Sequence, residues 1–380
     1  MTDDLPPNAA LLPAGLRDLL PPDAETEAAA VGRVMEIFAG HGYQRVSPPM
    51  LEFEDSLLAA TGAAMADQVF RLMGPDSHRM MAVRADMTPQ IARIAATRMA
   101  AAARPLRLSY SGQCLLVRAD QLHPDRQISQ AGIELIGPDT PQADAEIVVV
   151  GAEALAALGL TRLSFDLTMP PLVPALLDEA GVSQATRSLL ARALDRKDAA
   201  GVAEHGGSLA ETLTDLLLAA GPAPRALQAL ADAKLPPVAR ALAQRLADTA
   251  AAIHARMPEL KLTIDPVEFR GLKYHTGVCF TIYAPGRHEE LGRGGRYICG
   301  ENEPATGLTL YPDAVLRAAP PRIPRPRCYV PVGEDGRLLR QGGHVTVAGL
   351  SADADPKAEA ARLGCTHVLI EGHLVALSAE

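Results

Sequence analysis

Aromatic side chains are scarce in this chain: 3% of 380 residues, with seven Tyr, six Phe and no Trp. A core of any size must therefore come from Ala, Leu, Val and Ile, and the 48% hydrophobic content is enough to build one. Long apolar runs are missing too. None reaches the ~18 residues of a membrane span, and the best candidate, residues 147–160, is interrupted by Glu153. The opening Met1-Thr2-Asp3-Asp4 is acidic and lacks the basic-then-apolar order of a secretion signal. Five scattered cysteines (Cys114, Cys279, Cys299, Cys328, Cys365) form no Cys-x-x-Cys pair, which suits reduced thiols in a cytosol. Positive charge is in deficit: 36 Lys and Arg against 45 Asp and Glu leave a net charge of −9. That argues against a general nucleic-acid coat, which needs a basic surface to displace counterions, and leaves room only for a local basic groove. A folded, soluble, cytoplasmic protein is expected.

Familiar catalytic signatures are absent as well. There is no phosphate loop of the Gly-x-x-x-x-Gly-Lys-Ser/Thr type, no His-Glu-x-x-His, no Gly-x-Ser-x-Gly and no dinucleotide fingerprint. The ten histidines lack metal-ligand spacing, so no metal and no cofactor is expected.

What is present is an alternation of helical and strand-like stretches. Residues 23–40 predict a helix, led in by Pro21-Pro22, acidic in its first turn and stopped by Gly40 and Gly42. Thr88-Pro89 predicts a capped helix start, and 144–158 a further helix. Strands are expected at 106–111, 114–117 and 127–136, close enough in sequence for antiparallel hairpins. Residues 171–257 are rich in Ala and Leu and divided by Gly-Pro and Pro-Pro breaks, and they read as a helical insert. Strand signals return at 261–264, 278–283 and 307–311. Residues 320–327 read as a stiff Pro/Arg linker, and 328–380 as a short α/β unit. The expected architecture is α+β, with a main fold from 1–170 and 258–319.

The most informative segment is 127–136. Period-2 alternation puts Gln130, Gly132 and Glu134 on one face of a strand, an amide and a carboxylate about 13 Å apart at ~3.3 Å per residue. Glycine inside a strand often marks close approach of a ligand, and a small bipolar molecule could lie across it. The competing reading is a solvent-facing polar face with an incidental glycine. Three further clusters carry polar chemistry. Arg270, Tyr274 and His275 lie in Arg-Gly-Leu-Lys-Tyr-His-Thr-Gly, whose Arg can fork onto a carboxylate or phosphate; a surface turn is the plain alternative. Residues 291–297 are glycine-rich and read most simply as a turn. Asp86 stands just before a helix start, where capping accounts for it.

Taken in order, these segments resemble the histidyl-tRNA synthetase family of class II aminoacyl-tRNA synthetases. The opening Leu12-Pro13-Ala14-Gly15-Leu16-Arg17-Asp18 is similar to that family's first motif. Residues 42–52, ending Pro49-Met50-Leu51-Glu52, resemble motif 1, whose proline lies at a dimer interface. Arg84 to Thr88 resembles Arg-Pro-Glu-Gly-Thr, with Asp86 for Glu. Residues 109–134 cover motif 2 and the following strand, 270–277 resemble Arg-Gly-Leu-Asp-Tyr-Tyr, and Gly294-Gly295-Arg296-Tyr297 matches a further binding element. The likeness spans roughly residues 10–318. It implies an antiparallel sheet flanked by helices and a histidine pocket. Asp86, Thr88 and Gln130 would meet the α-ammonium, Glu134 the imidazole and Arg270 the carboxylate, with Tyr274, His275 and Tyr297 lining the pocket. His275 replaces the second Tyr of the motif and Lys273 its Asp.

The departures bear on function. Where motif 2 has Phe-Arg-x-Glu-Arg, this chain has Leu115-Leu116-Val117-Arg118-Ala119, so Leu116 takes the place of the α-phosphate arginine. Where motif 3 has Gly-Phe-x-x-Gly-x-x-Arg, Tyr311 fills the second glycine position and Ala314 replaces the arginine. Each lost charged hydrogen bond is worth about 1.5–3 kcal/mol, and more where charge develops in a transition state, so adenylation should be lost. Arg118 and Arg317 are the nearby substitutes if the alignment is shifted. The 53 residues after the linker are short for an anticodon-binding domain. The pattern therefore resembles the synthetase-like paralogues that regulate ATP phosphoribosyltransferase. The resemblance implies a non-catalytic subunit with no tRNA and no membrane partner. It would self-associate as a dimer, join the short-form catalytic subunit in a hetero-oligomer, and make the first step of histidine biosynthesis sensitive to histidine. The rival readings are an active synthetase with a truncated tail and a stand-alone histidine-binding protein.

Overall fold

The computed structural model describes residues 11–119, 124–268, 274–321, 323–352 and 355–377. The chain divides between Pro320 and Pro321 into two compact units.

In the first unit, α1 (Asp23–Gly40) carries acidic residues in its first turn and buries Ala30, Val34, Met35 and Phe38 at helical spacing. Gly42, at positive φ, then turns the chain into the short strand β1 (Gln44–Arg45). A small antiparallel sheet follows, in order β2-β4-β3, from β2 (Leu51–Phe53), β3 (Arg71–Met73) and β4 (Met80–Val83), with the single turn α2 (Glu54–Leu57) after β2. Next come α3 (Thr88–Ala96), the long hairpin of β5 (Leu106–Leu115) and β6 (Gln127–Ile136), α4 (Pro141–Ala156) and β7 (Ser164–Thr168).

Residues 172–256 form six α-helices: α5 (Leu172–Glu179), α6 (Gln184–Asp195), α7 (Ala199–His205), α8 (Ala210–Ala219), α9 (Ala223–Asp232) and α10 (Pro237–Arg256). The Gly-Pro break within them is a two-residue strand, β8 (Gly221–Pro222), that pairs with β9 (Lys261–Asp265). The chain then returns through β10 (His275–Tyr283), β11 (Glu290–Cys299), β12 (Glu303–Leu310) and α11 (Pro312–Ala318).

These strands make a nine-stranded sheet in order β1-β5-β6-β12-β11-β10-β7-β9-β8, antiparallel from β5 through β7. One face packs on α1 and α4. Ala131, Ile133 and Leu135 of β6 share that core with Val34, Phe38, Ile147 and Val150, and with Leu190, Leu213 and Leu246 of the helical stretch. The other face holds a second cluster of Met87, Ile91, Tyr110 and Tyr297, and it carries the cavity described below. The fold is of the α+β class.

Two sequence expectations differ from what is seen. The predicted strands at 106–111 and 114–117 are one continuous β5, because its full register with β6 runs from Leu106 to Leu115. Residues 291–297 are not a turn but the middle of β11. Gly292, Gly294 and Gly295 there sit where a Cβ would collide with atoms of the neighbouring strands.

The second unit is a four-stranded sheet, β14-β13-β15-β16, built from β13 (Arg327–Val330), β14 (Val345–Ala348), β15 (His367–Ile370) and β16 (His373–Ala376). Helices α12 (Arg337–Gln341) and α13 (Pro356–Arg362) complete it.

Candidate functional site

A cavity of about 480 Å³ opens on the face of the sheet opposite α4. Its floor is nearly bare backbone. Gly295 of β11 pairs with Gly307 of β12, which pairs with Glu134 of β6. A Cβ on Gly307 would overlap Glu134 Oε2, and one on Gly295 would stand 2.5 Å from Cys279 Sγ. Glycine at these two positions therefore gives the Glu134 carboxyl room over Gly307, and Cys279 and His275 room beside Gly295, in the wall of the cavity.

Glu134 is the centre of a closed polar network. It is 1% exposed. Its Oε1 accepts from Thr88 Oγ1 (3.0 Å) and the Tyr110 hydroxyl (3.2 Å), and its Oε2 from the Tyr297 hydroxyl (2.9 Å). Tyr110 also meets Thr309 at 2.8 Å. Burial pushes the Glu134 carboxyl up to about 8, against the opposing pull of the Tyr297, Thr88 and Tyr110 hydrogen bonds. Beside it, burial also raises the Asp86 carboxyl, although Gln130 and the amides of Thr88 and Met87 donate to it. Gln130 Oε1 in turn accepts from Met87 N at 3.1 Å. The Thr88 hydroxyl is thus turned onto Glu134, and α3 begins without a side-chain cap.

Tyr274 and His275 form the next wall, their rings stacked with centroids 4.2 Å apart. Burial and the charge of Arg293 push His275 down to about 4, so its imidazole is neutral. Its Nδ1 is buried without a partner among the described residues, an arrangement that costs about 1–3 kcal/mol unless a ligand supplies one.

Of the sequence-predicted set, Asp86, Thr88, Gln130, Glu134, Tyr274, His275 and Tyr297 all line this one cavity. Arg270 and Lys273 lie outside the described residues. The alternative of a solvent-facing strand fails for 127–136, since every residue from Ser129 to Ile136 is buried. Gly132 is explained differently from expectation: the Tyr110 ring and the Leu308 carbonyl occupy the space that a Cβ there would need. The glycines that line the cavity are Gly294, Gly295 and Gly307 instead. Arg296 also points elsewhere, with Nε and Nη2 bonded to Asp144 Oδ1 at 3.0 and 2.7 Å.

The other end of the cavity is where the resemblance puts the nucleotide. Leu116, Tyr311 and Ala314 line it. Two arginines reach it, and each has a carboxylate beside it: Arg317 pairs with Glu289, and Arg293 donates Nε to Glu290 Oε2 at 3.1 Å. Arg17 spans Asp313 (3.3 Å) and Asp125 (3.8 Å) at the rim. Arg118 is exposed and outside the lining. Among the described residues, Asp86 and Glu134 are the lining carboxylates with no ion-pair partner. One end of the cavity therefore offers two buried acids to a cationic or hydrogen-bonding ligand, and its described residues offer no cation free of a carboxylate for a polyphosphate. Sequence reasoning missed Arg293 and the Tyr110–Thr309 pair. Alternation backward from Gly295 and Tyr297 would have put Arg293 on the same face.

A histidyl-tRNA synthetase family model matches residues 15–315. An ATP phosphoribosyltransferase regulatory subunit of Gluconobacter oxydans is 57% identical, covering 96% of this chain and 97% of that one. A protein of the same name from Paramagnetospirillum magneticum is 53% identical, covering 95% and 96%. Among solved structures, an ATP phosphoribosyltransferase regulatory subunit/histidyl-tRNA synthetase from Bacillus halodurans aligns with TM-score 0.78 at 24% identity, over 93% of this chain and 97% of that one. The histidyl-tRNA synthetase of Nostoc sp. PCC 7120 aligns with TM-score 0.76 at 16% identity, over 95% and 91%. These structural matches show the class II synthetase fold. Among the described residues no helix is long and apolar enough to cross a membrane. With this fold, this cavity and relatives alike over nearly their whole length, the chain belongs to the histidyl-tRNA synthetase-like family of ATP phosphoribosyltransferase regulatory subunits.

Proposed function

We propose that this chain is a histidine sensor that assembles with the short-form ATP phosphoribosyltransferase catalytic subunit and has no aminoacylation chemistry of its own. The single observation carrying this reading is the asymmetry of charge in the cavity. Two buried, ion-unpaired carboxylates, Asp86 and Glu134, stand at one end, while the arginines at the other are matched to Glu289 and Glu290. Histidine suits the first end: its ammonium meets Asp86, Thr88 and Gln130, and its imidazole meets Glu134 and the tyrosine hydroxyls. A nucleoside triphosphate, at ~−4 charge, needs positioned cations at the second end to stabilise attack at phosphorus. Leu116 and Ala314 stand where the resemblance expects them.

A ligand changes a partner's activity only through its differential affinity for two states of the assembly, typically ~1–3 kcal/mol of coupling. The chain is read as cytoplasmic, dimeric through the region of residues 42–52, and indifferent to tRNA. The test is co-expression with the short phosphoribosyltransferase chain, followed by activity assays with increasing histidine. Co-purification with histidine-dependent inhibition is expected. Absence of a complex, or histidine-dependent exchange of pyrophosphate into ATP by this chain alone, would overturn the proposal.

A further inference from the structure

Arg293 stands out because the resemblance gives it no role, yet it lies on the cavity floor beside the amino-acid end. On β11 the residues facing the cavity alternate as Arg293, Gly295 and Tyr297. Tyr297 reaches Glu134, Gly295 presents no side chain of its own to the cavity, and Arg293 stands beyond it. Across the sheet, Glu134, Gly307 and Gly295 share one row, and Gly132, Thr309 and Arg293 the next. At ~4.8 Å between strands and ~6.6 Å between same-face neighbours, the Cα atoms of Glu134 and Arg293 are about 12 Å apart on a diagonal. An amino acid with an imidazole side chain, held at Glu134, would extend its backbone end along that diagonal over the two glycines.

The arginine's present pairing also leaves room for a ligand. Nε and Nη2 both donate to the same oxygen, Glu290 Oε2, and Nη1 has no partner among the described residues. The side chain is 42% accessible. A planar guanidinium used along one edge by one oxygen still offers a fork to a carboxylate. It is also the described cation whose charge is felt at both Asp86 and His275, the groups on either side of the trough.

We infer that Arg293 is the specificity-determining residue that reads the ligand's α-carboxylate, with Glu290 as an internal competitor for the same guanidinium. The inference rests on the proposed histidine reading and names which described group selects the free amino acid over derivatives lacking the acid. Glu290 sets the threshold: a ligand carboxylate must displace or share it, so affinity is held below what an unopposed arginine would give.

Calorimetric titration of the full-length protein with L-histidine and with L-histidinamide, which keeps the imidazole and ammonium but not the carboxylate charge, tests this. Arg293→Gln is expected to weaken L-histidine about 10–100-fold while changing L-histidinamide less than about 3-fold. Glu290→Gln is expected to tighten L-histidine several-fold and leave L-histidinamide unchanged, a gain that a misfolded variant would not give. Equal losses for both ligands in Arg293→Gln would overturn the inference. So would a carboxylate-selective loss in Arg270→Gln with none in Arg293→Gln. If the unmodified protein binds neither ligand, the histidine reading itself fails and the assignment of Arg293 fails with it.

Discussion

The two ends of the cavity are built on the same strands but follow opposite rules. At the Glu134 end, the carboxylate is held by neighbours from several elements: Thr88 from α3, Tyr110 from β5 and Tyr297 from β11. The acids there form no ion pair with a described cation, although the charge of Arg293 reaches Asp86. At the Tyr311 end each arginine has a carboxylate beside it, Arg317 with Glu289 and Arg293 with Glu290, and apolar Leu116 and Ala314 line the wall. Buried acids held in a preorganised hydrogen-bond network without an ion-pair partner suit a cationic or hydrogen-bonding ligand, whereas internally matched ion pairs need none. On the proposed reading, one pocket separates recognition of an amino acid from handling of phosphate.

Glu134→Ala should give the largest effect. It would leave the imidazole and the Thr88, Tyr110 and Tyr297 hydroxyls without their partner, at ~1–3 kcal/mol per unsatisfied buried group, so histidine affinity should fall about 10-fold or more by calorimetry. Co-purification with the catalytic subunit should be intact. Retained affinity would dissolve the contrast between the two ends.

Gly307→Ala should come next. Its Cβ would overlap Glu134 Oε2, with backbone packed around it. Overpacking of this kind costs ~1–3 kcal/mol, so a lower melting temperature and lost histidine binding are expected. A fully stable variant that still binds would show that the Glu134 carboxyl does not lie against Gly307 as described.

The pH dependence sharpens the comparison from the stability side. With Glu134 raised to about 8 in the fold and near 4.3 when unfolded, the unfolded chain binds fewer protons between these values. Its contribution therefore falls as pH rises from about 5 to 8. The ligand-free protein should lose melting temperature across that window, and Glu134→Gln should flatten the slope. An identical slope in both proteins would mean that the carboxyl is not desolvated.

Arg317→Ala should do least. Its pair with Glu289 is 47% and 32% exposed, and such pairs contribute ~0–1 kcal/mol. Stability should change by less than about 1 kcal/mol and histidine affinity not at all. A marked loss of affinity would mean that the second end takes part in recognition.

Much of the amino-acid end is legible in the sequence because strands have a period of two. Gln130 and Glu134 fall on one face by counting alone, and both reach the cavity. Alternation does not say what covers a face, so an exposed strand and a buried one read alike until Tyr110 and Leu308 are seen over Gly132. Residues 291–297 read as a turn because glycine is depleted in ordinary strands. Here its absence of side chain is what lets β11 lie close beside Phe280 and Cys279. The pairing of Arg293 with Glu290 and of Arg317 with Glu289 cannot be read ahead, since neither the register of β11 nor the course of α11 follows from local pattern. The break at Gly221-Pro222 hides a strand for the same reason: β8 exists only because β9 is there to receive it.

Sequential calorimetry, first with L-histidine and then with ATP and Mg²⁺, addresses the separation of the two ends most directly. Saturable heat from histidine, followed by none from the nucleotide with or without histidine present, is the expected result. Tight, histidine-dependent binding of ATP would contradict it, because the second end would then hold a triphosphate despite having its arginines matched to carboxylates.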